Sequence, residues 1–287
     1  MLRSPVAPVL KAGRSLTRRT EVARRRQLAG TLPVDAEAER LARELDRDGM
    51  VILDSLIDPA ALHALSNAAL GKLAQGDRIQ AAAPAGTSNK TFWQRLLDDE
   101  LVDGRMPADS PYARFALQPR LLAMLARSFG TLPQLDYVLL TLSVPSERPL
   151  SQSQLWHRDH DDTRTVKVFT YLTDVVEDSD GPFTLIPGPQ SDRVGYTLRS
   201  HLPDDYVFAR LPENSRQAMF APALTTFAVE TSRCLHMGSR IGPGHRRLLY
   251  TATYTTYPKL SGQSPRAFLL GQDEDEIARA VLAPPMI

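Results

Sequence analysis

The alternation of apolar and polar positions divides the chain near residue 132. Before it the spacing is helical. From Val34 to Arg47, Leu41 and Leu45 fall one turn apart on one face, Asp35 supplies an N-cap and Gly49 a stop. Met50-Val51-Ile52-Leu53 is short, apolar and strand-like. Asp58-Pro59 opens a second helix through about Leu73, with Ala61, Leu62, Leu65, Ala69 and Leu73 as its apolar stripe. Pro119 to Phe129 reads as a third. Between them, from Gly76 to Tyr112, the pattern lapses into Gly, Pro, Ser and charge around Phe92 and Trp93. Unstructured stretches of that length are uncommon unless they are lids or binding loops.

Beyond Leu132 the spacing becomes that of short strands, expected at 135–144, 152–159, 165–173, 182–187, 206–210, 217–219, 225–230, 233–237 and 246–256. Turns separate them, among them Asp178-Ser179-Asp180-Gly181, Pro187-Gly188-Pro189 and Gly242-Pro243-Gly244. Strands this short and this numerous predict a mainly β sandwich or barrel carrying a helical layer. The organisation expected is a tail (1–33), one domain (34–260, with a helical layer over 34–130 and a β core over 132–257) and a C-terminal extension (261–287). Internal repeats and low-complexity tracts are absent from the sequence.

Composition adds one asymmetry to an otherwise ordinary soluble profile of 43% hydrophobic and 23% charged residues. Residues 1–30 hold eight Lys or Arg against one acid, so the overall +1 leaves −6 for the remainder. The basic start reads first as a solvated, flexible tail. An organellar transit peptide, or an arm for nucleic acid or a membrane surface, are the alternatives. The remainder lacks aromatic–basic interleaving, so no nucleic-acid partner is expected. No apolar run approaches the ~18 residues needed to cross a bilayer. The lone Cys234 excludes an intramolecular disulfide, suits a reducing cytoplasm, and among apolar neighbours reads as a buried small residue.

The candidate chemistry lies in Trp156-His157-Arg158-Asp159 and, far away, Cys234-Leu235-His236. In an extended strand His157 and Asp159 share a face. With His236 they offer two imidazoles and one carboxylate, a set that caps one face of iron(II) and leaves the other open. One positive charge then stays uncompensated, which favours an anionic chelating cosubstrate. Asp159, standing where Ala or Gly would make room for a halide, points to oxygen insertion or another oxidation. His160-Asp161-Asp162 repeats the spacing, but Leu155 and Trp156 anchor the first pair in a strand. Arg246 and Arg247 follow His236 by ten and eleven residues, and only one of two adjacent strand residues can face inward to fork onto a carboxylate. A zinc hydrolase using the same three ligands, or a metal-binding sensor or scaffold without turnover, would need no such clamp.

Taken together, these motifs resemble the phytanoyl-CoA dioxygenase-like family of iron(II)/2-oxoglutarate oxygenases. The resemblance runs from about residue 36 to 257. It takes in Val168-Phe169-Thr170-Tyr171-Leu172-Thr173-Asp174-Val175, Gly181-Pro182-Phe183-Thr184-Leu185-Ile186-Pro187-Gly188, His236-Met237-Gly238-Ser239 and Arg246-Arg247-Leu248-Leu249-Tyr250. Asp48-Gly49-Met50-Val51-Ile52-Leu53, ahead of a helix, resembles the family's opening element. The resemblance implies a double-stranded β-helix (jelly-roll, cupin-like) core with flanking helices. It implies catalytic iron(II) held by His157, Asp159 and His236, with 2-oxoglutarate and O2 as cosubstrates. The far carboxylate of 2-oxoglutarate would meet Arg246 as first choice and Arg247 as second, with Gln154 positioning the cosubstrate and Phe169 lining its pocket. The activity implied is hydroxylation of an unactivated C–H bond in a small organic metabolite, releasing succinate and CO2. Lys90, Phe92, Trp93 and Arg95, in the 76–112 lid, are the candidate substrate contacts. After Ser239 the chain reads Arg240-Ile241-Gly242-Pro243-Gly244, without the Asn often found there in the family.

Overall fold

The computed structural model describes residues 6–80, 92–195, 199–260 and 268–282. Its first part is helical. Helices α1 (Val6–Thr17), α2 (Arg19–Thr31) and α3 (Ala36–Asp48) lead to strand β1 (Met50–Ile52), then α4 (Pro59–Gln80). Short strands β2 (Trp93–Arg95) and β3 (Met106–Pro107) precede α5 (Pro111–Ala116) and α6 (Pro119–Phe129). The caps expected for α3 are present. Asp35 accepts from Ala38 N at 2.8 Å, and Gly49 ends the helix at φ 80°. A Cβ on Gly49 would sit 2.4 Å from the Cys234 sulfur, so only glycine lets the helix end against that buried thiol.

The second part supplies β4 (Gln134–Ser143), β5 (Trp156–His157), β6 (Thr165–Tyr171), β7 (Thr184–Ile186), α7 (Gly188–Val194), β8 (His201–Leu202) and α8 (Asp204–Phe208). It continues with β9 (Gln217–Ala218), β10 (Thr226–Val229), β11 (Leu235–Met237), β12 (Arg247–Thr255), β13 (Phe268–Leu269) and α9 (Glu276–Leu282). Six antiparallel strands form one sheet in the order β1-β10-β6-β12-β4-β2, and five form a second in the order β8-β5-β11-β7-β9. Phe169, Tyr171, Phe227 and Leu249 of the first sheet pack with Phe183 and Leu185 of the second, so the two sheets face each other. This is the jelly-roll core with flanking helices.

Parity on the central strand decides what faces where. Leu248, Tyr250, Ala252 and Tyr254 of β12 pack with α3, α5 and α6 in the helix-side core. The Tyr250 and Tyr254 hydroxyls there donate to the carbonyls of Tyr112 and Ala116, both at 2.6 Å. The intervening Arg247, Leu249 and Thr251 therefore face the second sheet. β4 and β6 lie on either side of β12, with Leu249 opposite both Thr141 and Tyr171.

Several expectations are revised. Residues 1–33 are not a solvated tail where they are described. Lys11 donates to both carboxylate oxygens of Asp162 at 2.9–3.0 Å, and the buried Arg25 donates to three backbone carbonyls. Charge alone reads as solvation, whereas here it meets partners far along the chain. Of the expected extension 261–287, residues 268–282 are described and belong to the fold, since Val281 and Leu282 lie in the helix-side core and β13 pairs in parallel with β3. The expected strand at 206–210 is helix α8, which starts after Pro203 with Asp204 and Asp205 in its first turn, where acids suit the helix dipole. The expected strand at 152–159 shortens to β5, preceded by a 3₁₀ turn over Gln152–Gln154. The stretch 76–112 is not one loop. α4 reaches Gln80, β2 lies along the edge of the six-stranded sheet, and α5 begins at Pro111.

Candidate metal centre

β11 lies between β5 and β7, and its His236 pairs directly with His157 across the ladder. That register brings the two imidazoles together, with ring centroids 4.2 Å apart and planes tilted by 51°. Asp159 lies past the end of β5, but its backbone N–H donates to the Thr231 carbonyl at 2.9 Å, which carries the extended run on. Arg158, between the two ligands, points the other way. Its guanidinium donates to the carbonyls of Ser191, Gly195 and Arg233, fastening the loops behind the site. His157, Asp159 and His236 thus converge, each offering one ligand atom within 4.8 Å of the others.

The protonation of the three suits a divalent cation. Nδ1 of His157 lies 2.9 Å from the Leu155 carbonyl, and Nδ1 of His236 lies 3.0 Å from the Cys234 carbonyl. A carbonyl only accepts, so in each ring the hydrogen sits on Nδ1 and the Nε2 lone pair faces Asp159. Burial, then the neighbouring His236, lowers the His157 pKa to about 3; burial lowers that of His236 too. Both rings are therefore neutral ligands at physiological pH. Burial pushes the Asp159 carboxyl upward, but Lys167 and the two imidazoles outweigh it and hold the group ionised. Lys167 Nζ stands 2.8 Å from Asp159 Oδ2, an ion pair that balances the carboxylate's charge beside the two rings. Two neutral nitrogens and an ionised carboxylate, converging within 4.8 Å, form a donor set that fits iron(II).

Beside the triad lies a cavity of about 110 Å³, walled by His157, His236 and Phe183 on one sheet and by Lys167, Phe169, Leu249 and Arg247 on the other. Arg247 is buried, and its guanidinium donates to the Gly181 carbonyl, to Ser239 Oγ at 3.0 Å and to Ser143 Oγ at 3.5 Å. No carboxylate pairs with it among the described residues, and its Nε has no hydrogen-bond partner. Burial lowers its pKa from the usual guanidinium value, with only Tyr171 opposing. Arg246, the first choice in the sequence, is exposed on the far side, as the parity of β12 requires.

The other expected residues divide. Phe169 lines the cavity and also packs on Phe183, with ring centroids 4.6 Å apart. Gln154 is buried but does not line the cavity. Its side-chain amide donates to the Ser239 carbonyl at 3.0 Å, while its backbone carbonyl accepts from Arg240 Nε at 2.8 Å, so it holds the turn after His236. Trp93 reaches the cavity from the edge strand β2. Phe92 is buried elsewhere, and Arg95 is exposed beside Asp98 at the rim of a separate cavity of about 350 Å³ along β4. Lys90 lies outside the described residues. His160 is exposed, and Asp162 is taken up by Lys11, so the repeated His-x-Asp spacing forms no second site. Sequence reading missed Lys167, Ser143 and Ser239. The signal for Lys167 was a lone cation in Val166-Lys167-Val168-Phe169, on the same face of the strand as Phe169.

No protein-family profile matches the chain, and no curated protein matches it by sequence. Among solved structures the chain is similar to EctD from S. alaskensis at 20% identity, over 79% of this chain and 77% of that one, with a TM-score of 0.50. That protein has been solved with 2-oxoglutarate and 5-hydroxyectoine, and separately with bound Fe. AviO1 from Streptomyces viridochromogenes Tue57 matches at 16% identity over 81% of this chain and 100% of that one, also with a TM-score of 0.50. At such identities the likeness is one of fold.

Proposed function

We propose that this protein is a non-haem iron(II)- and 2-oxoglutarate-dependent dioxygenase that hydroxylates an unactivated C–H bond of a small organic metabolite. The observation that carries the reading is Arg247, a buried guanidinium without a carboxylate partner among the described residues, in the wall of a cavity that the two histidines of the triad also line. A buried cation without countercharge is costly unless an anion arrives to meet it. A dicarboxylate whose other end chelates a metal at His157, Asp159 and His236 answers that need. Neither a zinc hydrolase nor a non-catalytic scaffold calls for such a group. The iron and 2-oxoglutarate bound in EctD, on a shared fold, support the same assignment for this chain.

In this reading His157 and His236 bind iron through Nε2, and Asp159 binds through its carboxylate while Lys167 balances its charge. Iron(II) would supply dioxygen activation coupled to oxidative decarboxylation of 2-oxoglutarate to succinate and CO2. Arg247, with Ser143 and Ser239 at its flank, forks onto the far carboxylate and fixes the cosubstrate's orientation. Phe169, Phe183 and Leu249 keep that end of the cavity dry, so the charge pairing acts in a poorly screened setting. Trp93 stands at the edge from which an organic substrate would approach. The single buried cysteine suits a cytoplasmic setting.

The test is succinate release from 2-oxoglutarate with iron and O2, in the presence and absence of candidate substrates, with product mass. Wild-type protein should turn over 2-oxoglutarate, and Asp159→Ala should abolish this. An added mass of one oxygen identifies hydroxylation. Absence of metal-dependent 2-oxoglutarate binding by the wild type sinks the proposal.

A further inference from the structure

Two turns that the metal chemistry leaves unused meet beside Arg247. In the turn at Glu177–Gly181, Asp180 Oδ2 accepts from the backbone N–H groups of Val176 at 2.8 Å and Glu177 at 3.1 Å. In the turn at Arg240–His245, Gly242 N donates to the Ser179 carbonyl at 2.8 Å and His245 N to the Gly242 carbonyl at 3.1 Å. The turns are pressed together so closely that side chains are excluded. A Cβ on Gly181 would lie 2.4 Å from Ile241 Cδ1, and one on Gly242 would lie 2.9 Å from Ser179 Cβ. His245 closes the contact, with Nδ1 2.9 Å from Asp180 Oδ1 and Nε2 3.4 Å from Glu177 Oε1.

Both partners of this clasp are one or two residues from the cosubstrate clamp. Asp180 precedes Gly181, whose carbonyl accepts from the Arg247 guanidinium, and His245 precedes Arg247 by two residues. The carbonyl engages Nη1, Ser143 and Ser239 engage Nη2, and Nε stays open. The position of the Gly181 carbonyl therefore helps to set the plane of the guanidinium. We infer that His245 is a positioning residue: hydrogen-bonded to Asp180, it holds the Gly181 turn so that Arg247 is oriented for the far carboxylate of a dicarboxylate cosubstrate. The inference rests on the cosubstrate reading above. It also gives a task to the Arg240–Gly244 stretch, which departs from the family pattern.

The experiment is calorimetric titration of 2-oxoglutarate into the full-length protein loaded with Co(II), alongside Co(II) affinity and Tm. His245→Ala and Asp180→Asn should each weaken 2-oxoglutarate binding about tenfold, the equivalent of one charge-assisted hydrogen bond. Co(II) affinity and Tm should hold at wild-type values. His245→Gln, whose amide can still donate to Asp180, should recover most of the loss. The double variant should bind no worse than the weaker single one, because the pair acts as a unit. Unchanged 2-oxoglutarate affinity in both single variants overturns the clasp, as does a parallel loss of Co(II) affinity. A wild-type protein that binds Co(II) but no 2-oxoglutarate overturns the cosubstrate reading and the clasp with it.

Discussion

Arg25 and Arg247 are buried to almost the same degree, at 1% and 2% exposure, yet their surroundings differ in kind. Arg25, on α2, is enclosed by protein. It donates to the carbonyls of Leu132, Pro133 and Ala280, pairs with Glu21 at 3.3 Å, and stacks 4.0 Å from the centre of the Tyr257 ring. Its charge is spent inside the fold. Among the described residues Arg247 has one carbonyl and two hydroxyls, no carboxylate, and a cavity in front of it. A buried guanidinium is thus uninformative by itself. What distinguishes a binding group from a staple is an absent countercharge beside space for a ligand.

The largest expected effect that separates the two is on cosubstrate binding. Arg247→Met should weaken 2-oxoglutarate binding to the metal-loaded protein by roughly 30- to 5,000-fold, the range for truncating one side of a buried charge pair. Its Tm should stay level or rise, since an uncompensated buried charge has been removed. Arg247→Lys should recover only part of the affinity, because an ammonium cannot reproduce the bidentate fork. Titration calorimetry and thermal melts on the same samples decide the matter. A large fall in Tm with unchanged affinity would turn Arg247 into a second staple.

Arg25→Met should show the reverse. It leaves three carbonyls short of a donor, at a cost of about 2–4 kcal/mol. That corresponds to a fall in Tm of roughly 3–7 °C for a domain of this size. The folded variant should bind 2-oxoglutarate as the wild type does, and a loss of binding at temperatures where it remains folded would break the contrast.

The difference between the regions also explains what could be read in advance. β4, β6 and β12 run to ten, seven and nine residues, long enough for their apolar character to show, while α3 announced itself through its caps and α6 through its apolar residues. The triad was legible because His157-x-Asp159 carries its geometry in its spacing. The sheet that holds the triad was less so: β5, β8 and β9 have two residues each, too few for periodicity. Tyr206-Val207-Phe208 looks β-prone, yet Pro203 and the acids after it start a helix. The basic start was misread because the carbonyls that Arg25 donates to and the carboxylate that Lys11 meets lie more than a hundred residues away, which no local count detects.

The choice between Arg246 and Arg247 failed for a related reason, and it yields the smallest effect worth measuring. β12 is buried along both faces, so its sequence shows no alternation from which to read a parity. Only the helices packed on Leu248, Tyr250, Ala252 and Tyr254 reveal that odd-numbered positions look into the cavity. Arg246 is then on the solvent side, and Arg246→Ala should change 2-oxoglutarate affinity by no more than about twofold, as surface substitutions away from a site do. Side by side, the Arg246 and Arg247 variants differ by one step along the strand and should differ by more than tenfold in affinity. A loss at Arg246 equal to that at Arg247 would mean that charge near the strand's start, not the face it points to, governs binding; the parity of β12 says otherwise.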